Sequence, residues 1–229
     1  MIAENDEKAW IECLRAKHWF RMNGNAVSSF EREYAKLMGT RECLATANGT
    51  SALLTSLNAL GIGAGDEVIV PPYTFVATIN VVLQQFGLPI FVDTDPETFQ
   101  IDAKKLENAI TEKTQCIIPV HLGGNAADLD AILAIAKKHR LPVIEDACQA
   151  HLGEWRGKKL GSLGEVGCFS FQVTKNLSSG EGGAIISNNS ELIDRCFAFH
   201  SNGAERRPTP AFSYRVKGTN VSMTEFQGT

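Results

Sequence analysis

Short uninterrupted apolar runs alternate with amphipathic stretches along most of this chain, and that alternation restricts the fold more than any other feature. Glu67–Val70 ("EVIV"), Gln115–Val120 ("QCIIPV") and Pro142–Asp146 ("PVIED") are apolar at consecutive positions. Strands covered on both faces read this way, because both sides of the strand meet hydrophobic neighbours. Phe75–Phe86 and Leu129–His139 lie between or beside them with helical spacing, the second ending in basic residues that suit a helix C-terminus. The complete alternation predicts strands at Cys43–Ala47, Glu67–Val70, Pro89–Asp93, Gln115–Val120, Pro142–Asp146, Gly167–Gln172 and Gly183–Ser187. Helices are expected at Thr50–Leu60, Phe75–Phe86, Asp102–Ile110 with Asp102 as cap, Leu129–His139 and Ser190–His200.

Strand–helix alternation of this kind implies an α/β fold with three layers and a mostly parallel sheet of seven strands. The last two strands are joined by a loop too short for a helical crossover, so at least one strand there runs antiparallel to its neighbour. Residues 1–40 read as a helical, peripheral segment, and residues 41–229 as one large domain.

The formal net charge of −4 is small and no basic run stands out, which argues against a nucleic-acid or membrane-surface partner. The most apolar window, Val68–Leu83, is broken by Pro71, Pro72, Thr74, Thr78 and Asn80, so it predicts no membrane span. The N-terminal "MIAENDEKAW" is acidic and is no secretory signal. The cysteines at 13, 43, 116, 148, 168 and 196 form no CxxC pair; they read as reduced thiols of a cytoplasmic protein, with no metal site.

In such a sheet ligands sit at the carboxyl ends of the strands, which directs attention to "ANGTSA", "PPYTF", "HLGGN", "EDACQAH" and the segment around Lys175. "TANGTSALL" runs from a strand into a helix start, a place where free amides and the helix dipole suit a phosphate; an ordinary N-cap explains it equally. "GIGAGD" (61–66) precedes a strand and fails the dinucleotide fingerprint, and "GEWRGK" (153–158) is one residue short of a P-loop. Asp146 ends a buried strand. Two readings remain for it: a cap for the next element, or a carboxylate holding a proton on a bound heterocyclic nitrogen. Lys175 stands between a strand and "SSGEGG" and is placed to form a Schiff base with a carbonyl. The glycines after it are conformational. A Schiff-base lysine, a pyridinium-binding carboxylate and a phosphate-binding helix start are the parts of a pyridoxal 5'-phosphate site.

Six motifs in order, "NGTSAL" (48–53), "PPYTFVAT" (71–78), "PVHLGG" (119–124), "VIEDACQAH" (143–151), "FSFQVTKNLSSGEGGAI" (169–185) and "GTNVSMTEFQ" (218–227), give the chain its resemblance to the DegT/DnrJ/EryC1/StrS family of pyridoxal-phosphate sugar aminotransferases. The resemblance covers nearly the whole chain and implies an aspartate-aminotransferase-like large domain. It implies Lys175 as the lysine that anchors the cofactor, Asp146 as partner of the pyridine nitrogen and Gln149 as a polar neighbour of the ring. It also implies Phe75 as the stacking aromatic, where a core Phe on a helix is the alternative, and Thr50, Ser51 and Ser170 as phosphate ligands. His121 has two open readings, a pocket wall or a structural histidine. Asn220 is the residue expected to reach a partner copy's cofactor phosphate across a homodimer interface; Ser222 stands where the family often carries Arg or Asn. A branch of the family dehydrates sugars with His in place of the anchoring lysine, so Lys175 implies transamination. The implied acceptor is a keto-sugar, nucleotide-linked, or a keto-cyclitol, and the implied donor glutamate or glutamine. Family members continue into a smaller C-terminal domain that these 229 residues do not supply; either the sequence is a fragment or the domain was lost, and its loss would predict weak or absent turnover through poor exclusion of water. The alternatives are a non-catalytic cofactor-binding relative with a regulatory or assembly role, and a lyase-type use of the same cofactor.

Overall fold

The computed structural model describes residues 4–206 and 216–229. Nine strands and seven α-helices are found among them: α1 Glu4–Ala16, α2 Ala26–Met38, β1 Glu42–Thr46, α3 Gly49–Ala59, β2 Glu67–Val70, α4 Ala77–Gln84, β3 Leu88–Phe91, α5 Ala103–Leu106, β4 Thr114–Ile117, α6 Leu129–His139, β5 Ile144–Asp146, β6 Glu154–Trp155, β7 Lys158–Lys159, β8 Val166–Ser170, β9 Gly183–Ser187 and α7 Ser190–His200.

Hydrogen bonding joins β1, β9, β8 and β5 in that order, and β3, β2 and β4 in another group. Parallel bridges Ile117–Val143 and Val120–Asp146 tie the two groups along β4 and β5. The result is one seven-stranded sheet of order β1-β9-β8-β5-β4-β2-β3. All its strands run parallel except β9, which is antiparallel to both β1 and β8. This is the mostly parallel, seven-stranded sheet that the sequence predicts, and β9 is the strand that a short loop forces to reverse.

Alternation along the strands divides the core between two layers of helices. Leu44, Val68, Val70, Ile144, Cys168 and Ile185 pack with α3, α4 and α7. Cys43, Ala45, Phe169, Ala184 and Ile186 face the other way onto Val27, Tyr34 and Met38 of α2. Ile69, Ile117 and Val143 complete that second layer with Leu106 and Ile132. Phe169 is wholly buried, which contributes on the order of 1.5–3 kcal/mol.

Caps define several helices. Asn48, Asp102, Asp128 and Asn189 each accept a backbone N–H in the first turn that follows. Helix α2 is different, since Asn25 makes no side-chain cap. Its amides at Ala26 and Val27 donate instead to Glu225, at 2.6 and 3.4 Å, and that carboxylate is 2% exposed. A residue near the end of the described chain thus closes a helix near its start. Arg21 adds a second clasp, pairing with Glu31 at 3.0 Å and donating to His200 Nε2 at 3.3 Å.

The β6–β7 hairpin was not anticipated. It falls on "GEWRGK", where Arg156 (φ 49°) and Gly157 (φ 77°) form a two-residue turn with both φ positive. The near-match to a P-loop is therefore a hairpin.

Candidate active site

The parallel strands deliver their carboxyl ends to one edge of the sheet, and the antiparallel β9 begins at that same edge. The loop 171–182 between β8 and β9 therefore stays there, and Lys175 with it. A cavity of about 500 Å³ opens at this edge, and its walls include Thr50, Phe75, Asp146, Gln149, Ser170 and Lys175. Six of the eight residues singled out in the sequence meet in it.

Asp146 ends β5 and is 5% exposed. Its Oδ2 accepts from Thr78 Oγ1 at 2.8 Å and its Oδ1 from the Cys148 amide at 3.2 Å. Both donors are neutral, and among the described residues no cation pairs with it. A buried carboxylate held only by neutral donors is suited to a protonated nitrogen brought in by a ligand. The neighbouring Glu145 points to the opposite face, as strand alternation requires. It is fully buried and accepts from His121 Nε2 (2.9 Å) and from the amides of Gly161, Leu163 and Gly164 (2.6–2.7 Å). His121 Nδ1 accepts from the Ala127 amide at 3.2 Å, so Nε2 carries the proton it donates. His121 is a structural histidine and not a pocket wall.

Lys175 sits half-buried in a tight turn closed by its own amide on the Gln172 carbonyl at 2.8 Å. Gly180 (φ 84°) and Gly182 (φ 158°) let the loop return into β9, the conformational role expected of them. Among the described residues Lys175 Nζ has no carboxylate partner. The Cys148 thiol, in the cavity wall, is pushed up first by burial and then by the charge of Asp146, with Lys175 opposing. It stays a neutral thiol beside the lysine.

The start of α3 forms the third wall. Asn48 Oδ1 takes the Ser51 amide at 2.8 Å, which leaves the Gly49 and Thr50 amides outside the helical ladder at the cavity. Gly49 is required by contact: a Cβ there would lie 2.8 Å from both Cys148 Sγ and Ser170 Cβ. Ser170 is fixed from behind. His151 Nε2 donates to its carbonyl at 2.7 Å, and Tyr34 OH lies 3.0 Å from His151 Nδ1. Burial lowers the His151 pKa, helped by the Lys175 charge and opposed by that carbonyl bond. The imidazole is therefore neutral and accepts from the tyrosine.

Phe75 is 65% exposed and precedes α4, so it is not a core residue of that helix. Ser51 is buried in the first turn of α3 and does not line the cavity. Asn220 is exposed, bridges to Ser201 and accepts from Ser222 Oγ at 2.9 Å, and it does not line the cavity of its own chain. Thr74, Thr78, Gln172, Thr174 and Glu181 also line the cavity, and the sequence assigns them no role. The polar breaks at Thr74 and Thr78 in an apolar window were the available signal.

The model of the DegT/DnrJ/EryC1/StrS aminotransferase family matches residues 1–229. The chain belongs to this family. Its aminotransferases depend on pyridoxal phosphate, and the cavity residues fit that group: a buried carboxylate, a lysine and a helix start with hydroxyls. GDP-perosamine synthase of Caulobacter vibrioides is 41% identical over 223 residues, 97% of this chain and 59% of that protein. L-glutamine:2-deoxy-scyllo-inosose aminotransferase of Streptoalloteichus tenebrarius is 40% identical over 227 residues, 93% of this chain and 54% of that protein. The solved structure of NtdA from Bacillus subtilis, with bound cofactor PMP, superposes with a TM-score of 0.86 at 36% identity, covering 99% of this chain and 52% of that one. The chain thus spans between half and two thirds of the length of these relatives. No helix among the described residues is long and apolar enough to cross a membrane.

Proposed function

We propose that this chain carries the cofactor face of an enzyme that transfers an amino group from glutamate or glutamine to a keto group on a sugar, nucleotide-linked, or on a cyclitol. The observation that carries the reading is the meeting of Lys175, Asp146 and the α3 start in one cavity. The two curated relatives above support it, one named for an amino sugar and one for a glutamine-dependent cyclitol amination.

Bound pyridoxal phosphate supplies an electrophilic carbonyl and an electron-accepting ring. The chain's own residues then divide the work. Lys175 Nζ anchors the cofactor and, once free, carries a proton between reacting carbons. Asp146, oriented by Thr78 and the Cys148 amide, keeps a proton on the ring nitrogen. Thr50 and Ser170 with the Gly49 and Thr50 amides hold the phosphate, Phe75 covers one face of the ring, and Gln149 supports its edge; Ser51, buried and outside the cavity, takes no part. In this reading residues 41–229 form the cofactor-binding unit, and residues 1–40 a helical segment clasped to it through Arg21, Glu31 and Glu225. Asn220, which does not line its own chain's cavity, serves the cofactor phosphate of a second copy. Six free cysteines suit a cytoplasmic enzyme. The ligands are small molecules, with neither nucleic acid nor membrane among the partners.

The test is the first half-reaction. The full chain is loaded with pyridoxal phosphate, mixed with L-glutamine or L-glutamate, and followed by absorption and by release of the 2-oxo acid. Conversion to the pyridoxamine form, absent in Lys175→Gln, is expected. Cofactor retention with no 2-oxo acid from either donor would favour a non-catalytic cofactor-binding relative.

A further inference from the structure

Beside the lysine cavity lies a second, more open cleft of about 650 Å³ that shares Thr74, Phe75 and Gln149 with it. Its far wall is the 93–102 loop, where Phe99 has φ 61°, a left-handed conformation that a bulky residue rarely adopts. The loop is built to hold it there. Asp95 Oδ1 accepts from the Glu97 and Thr98 amides at 2.9 and 3.0 Å, and the Asp95 carbonyl accepts from Phe99 N at 2.8 Å. The Gln100 side chain grips both backbone groups of Leu122, at 3.1 and 3.3 Å. Strained backbone persists where the surroundings over-determine it, and such places cluster at ligand sites.

What this frame presents is an exposed ring. Phe99 is 55% and Tyr73 56% exposed, the two meet edge-on with centroids 6.1 Å apart, and Phe75 stands beside them. The polar lining is neutral apart from one carboxylate: Asn125, Gln149, Thr74, Thr98 and Glu97. Gln149 Oε1 is taken by the Gly123 amide at 2.8 Å, so its own N–H groups remain to donate. Among the described residues no cationic side chain lines the cleft.

We propose that this cleft binds the sugar or cyclitol ring of the amino acceptor, its C–H faces on Tyr73 and Phe99 and its hydroxyls on Glu97, Asn125 and Gln149. The inference rests on the aminotransferase reading and adds where the acceptor lies. A diphosphate does not fit this cleft, since it would meet Glu97 with no cation among the described lining residues to pair it. A neutral polyhydroxylated ring matches both surfaces: aromatic faces take its apolar C–H groups, and amides and a carboxylate take its hydroxyls. The cleft shares Thr74, Phe75 and Gln149 with the lysine cavity, so a ring lying in it borders the space that Lys175 lines. Any anionic part of the acceptor projects out of the cleft.

Saturation-transfer NMR on the full chain tests this, with methyl α-D-glucopyranoside and myo-inositol as probes and irradiation of the protein's aromatic protons. Tyr73→Leu and Phe99→Gly should each cut probe binding by about three- to tenfold. Phe99→Gly also relieves the left-handed strain, so its thermal midpoint should be unchanged or higher, an outcome that a merely structural Phe99 would not give. Inorganic pyrophosphate at equal concentration should leave the signal intact. Absence of signal in the wild type, undiminished signal in both variants, or displacement by pyrophosphate or uridine monophosphate would overturn the proposal. Reduction of the cofactor-loaded chain with borohydride keeps the two readings apart. A Lys175 adduct without a sugar signal refutes the cleft alone, whereas no adduct refutes the aminotransferase reading whatever the sugar signal.

Discussion

His200 makes the stability of this fold depend on pH in a way that can be worked from its contacts. It is fully buried at the end of α7. Its Nδ1 lies 2.8 Å from the Phe197 carbonyl, so Nδ1 carries the proton, and Nε2 accepts from Arg21 at 3.3 Å. Burial pushes its pKa down to about 3; the Phe197 carbonyl opposes this, and the charges of Arg21 and Arg206 add to it. In the unfolded chain the imidazole takes up a proton near pH 6.5. Above that pH both states are neutral and the group leaves stability unchanged. As pH falls from 6.5 toward 3, only the unfolded state binds the proton, so folding stability is lost at about 1.4 kcal/mol per pH unit. Between pH 6.5 and 4.5 the loss from this group is roughly 3 kcal/mol. His200→Gln keeps an acceptor for Arg21 and removes the titration. Urea unfolding of wild type and variant at pH 7.0 and 4.5 gives the comparison. The wild type should lose that much more stability on acidification than the variant. Equal losses in the two proteins would refute the assignment of a neutral, proton-refusing imidazole. His151, also lowered, titrates in the same direction in both proteins and cancels in the difference.

Other perturbations follow from individual contacts. Thr78→Val removes the donor to Asp146 Oδ2, and the affinity for pyridoxal phosphate, followed by absorption titration, should fall by roughly three- to tenfold. Gly49→Ala drives a Cβ against Cys148 Sγ and Ser170 Cβ, and urea unfolding should record a loss of about 1–3 kcal/mol. Glu225→Ala leaves the first amides of α2 without an acceptor, at a cost of roughly 1–3 kcal/mol in the same assay; an unchanged midpoint would show that water replaces the cap.

The features legible in the sequence were those with local physical causes. Apolar runs and cap residues located the strands of the sheet, and Leu129–His139, Gly183–Ser187 and Ser190–His200 match the observed elements at both ends. The reversal at β9 followed from loop length alone. Asp146, Lys175 and the Thr50 segment could be read because they stand at or soon after a strand end, where a sheet of this kind exposes ligand-facing residues; Ser170, the last residue of β8, was implied only by the family resemblance. Contacts between distant segments were not legible. Nothing in "NGNAVSS" announces that Glu225 caps α2, because the donor and acceptor lie 199 residues apart. Glu145 and Asp146 are adjacent acids in the sequence, and only the register of β5 shows that one is locked among amides while the other faces the cavity. Phe75 read from its own segment as a core residue of a helix, with the stacking role implied only by the resemblance; its exposure removes the core reading. The second cleft was hidden because its aromatic wall joins Tyr73 to Phe99 through a loop with no periodicity of its own.

We propose Lys175 as the covalent anchor of pyridoxal phosphate beside Asp146. The most direct test is to load the full chain with the cofactor, reduce it with borohydride and map the modified peptide by mass spectrometry. A single phosphopyridoxyl group on Lys175, lost in Lys175→Gln, is expected, together with a visible absorption band before reduction. A folded, cofactor-exposed chain with no adduct on Lys175, or with the label scattered over surface lysines, would contradict it.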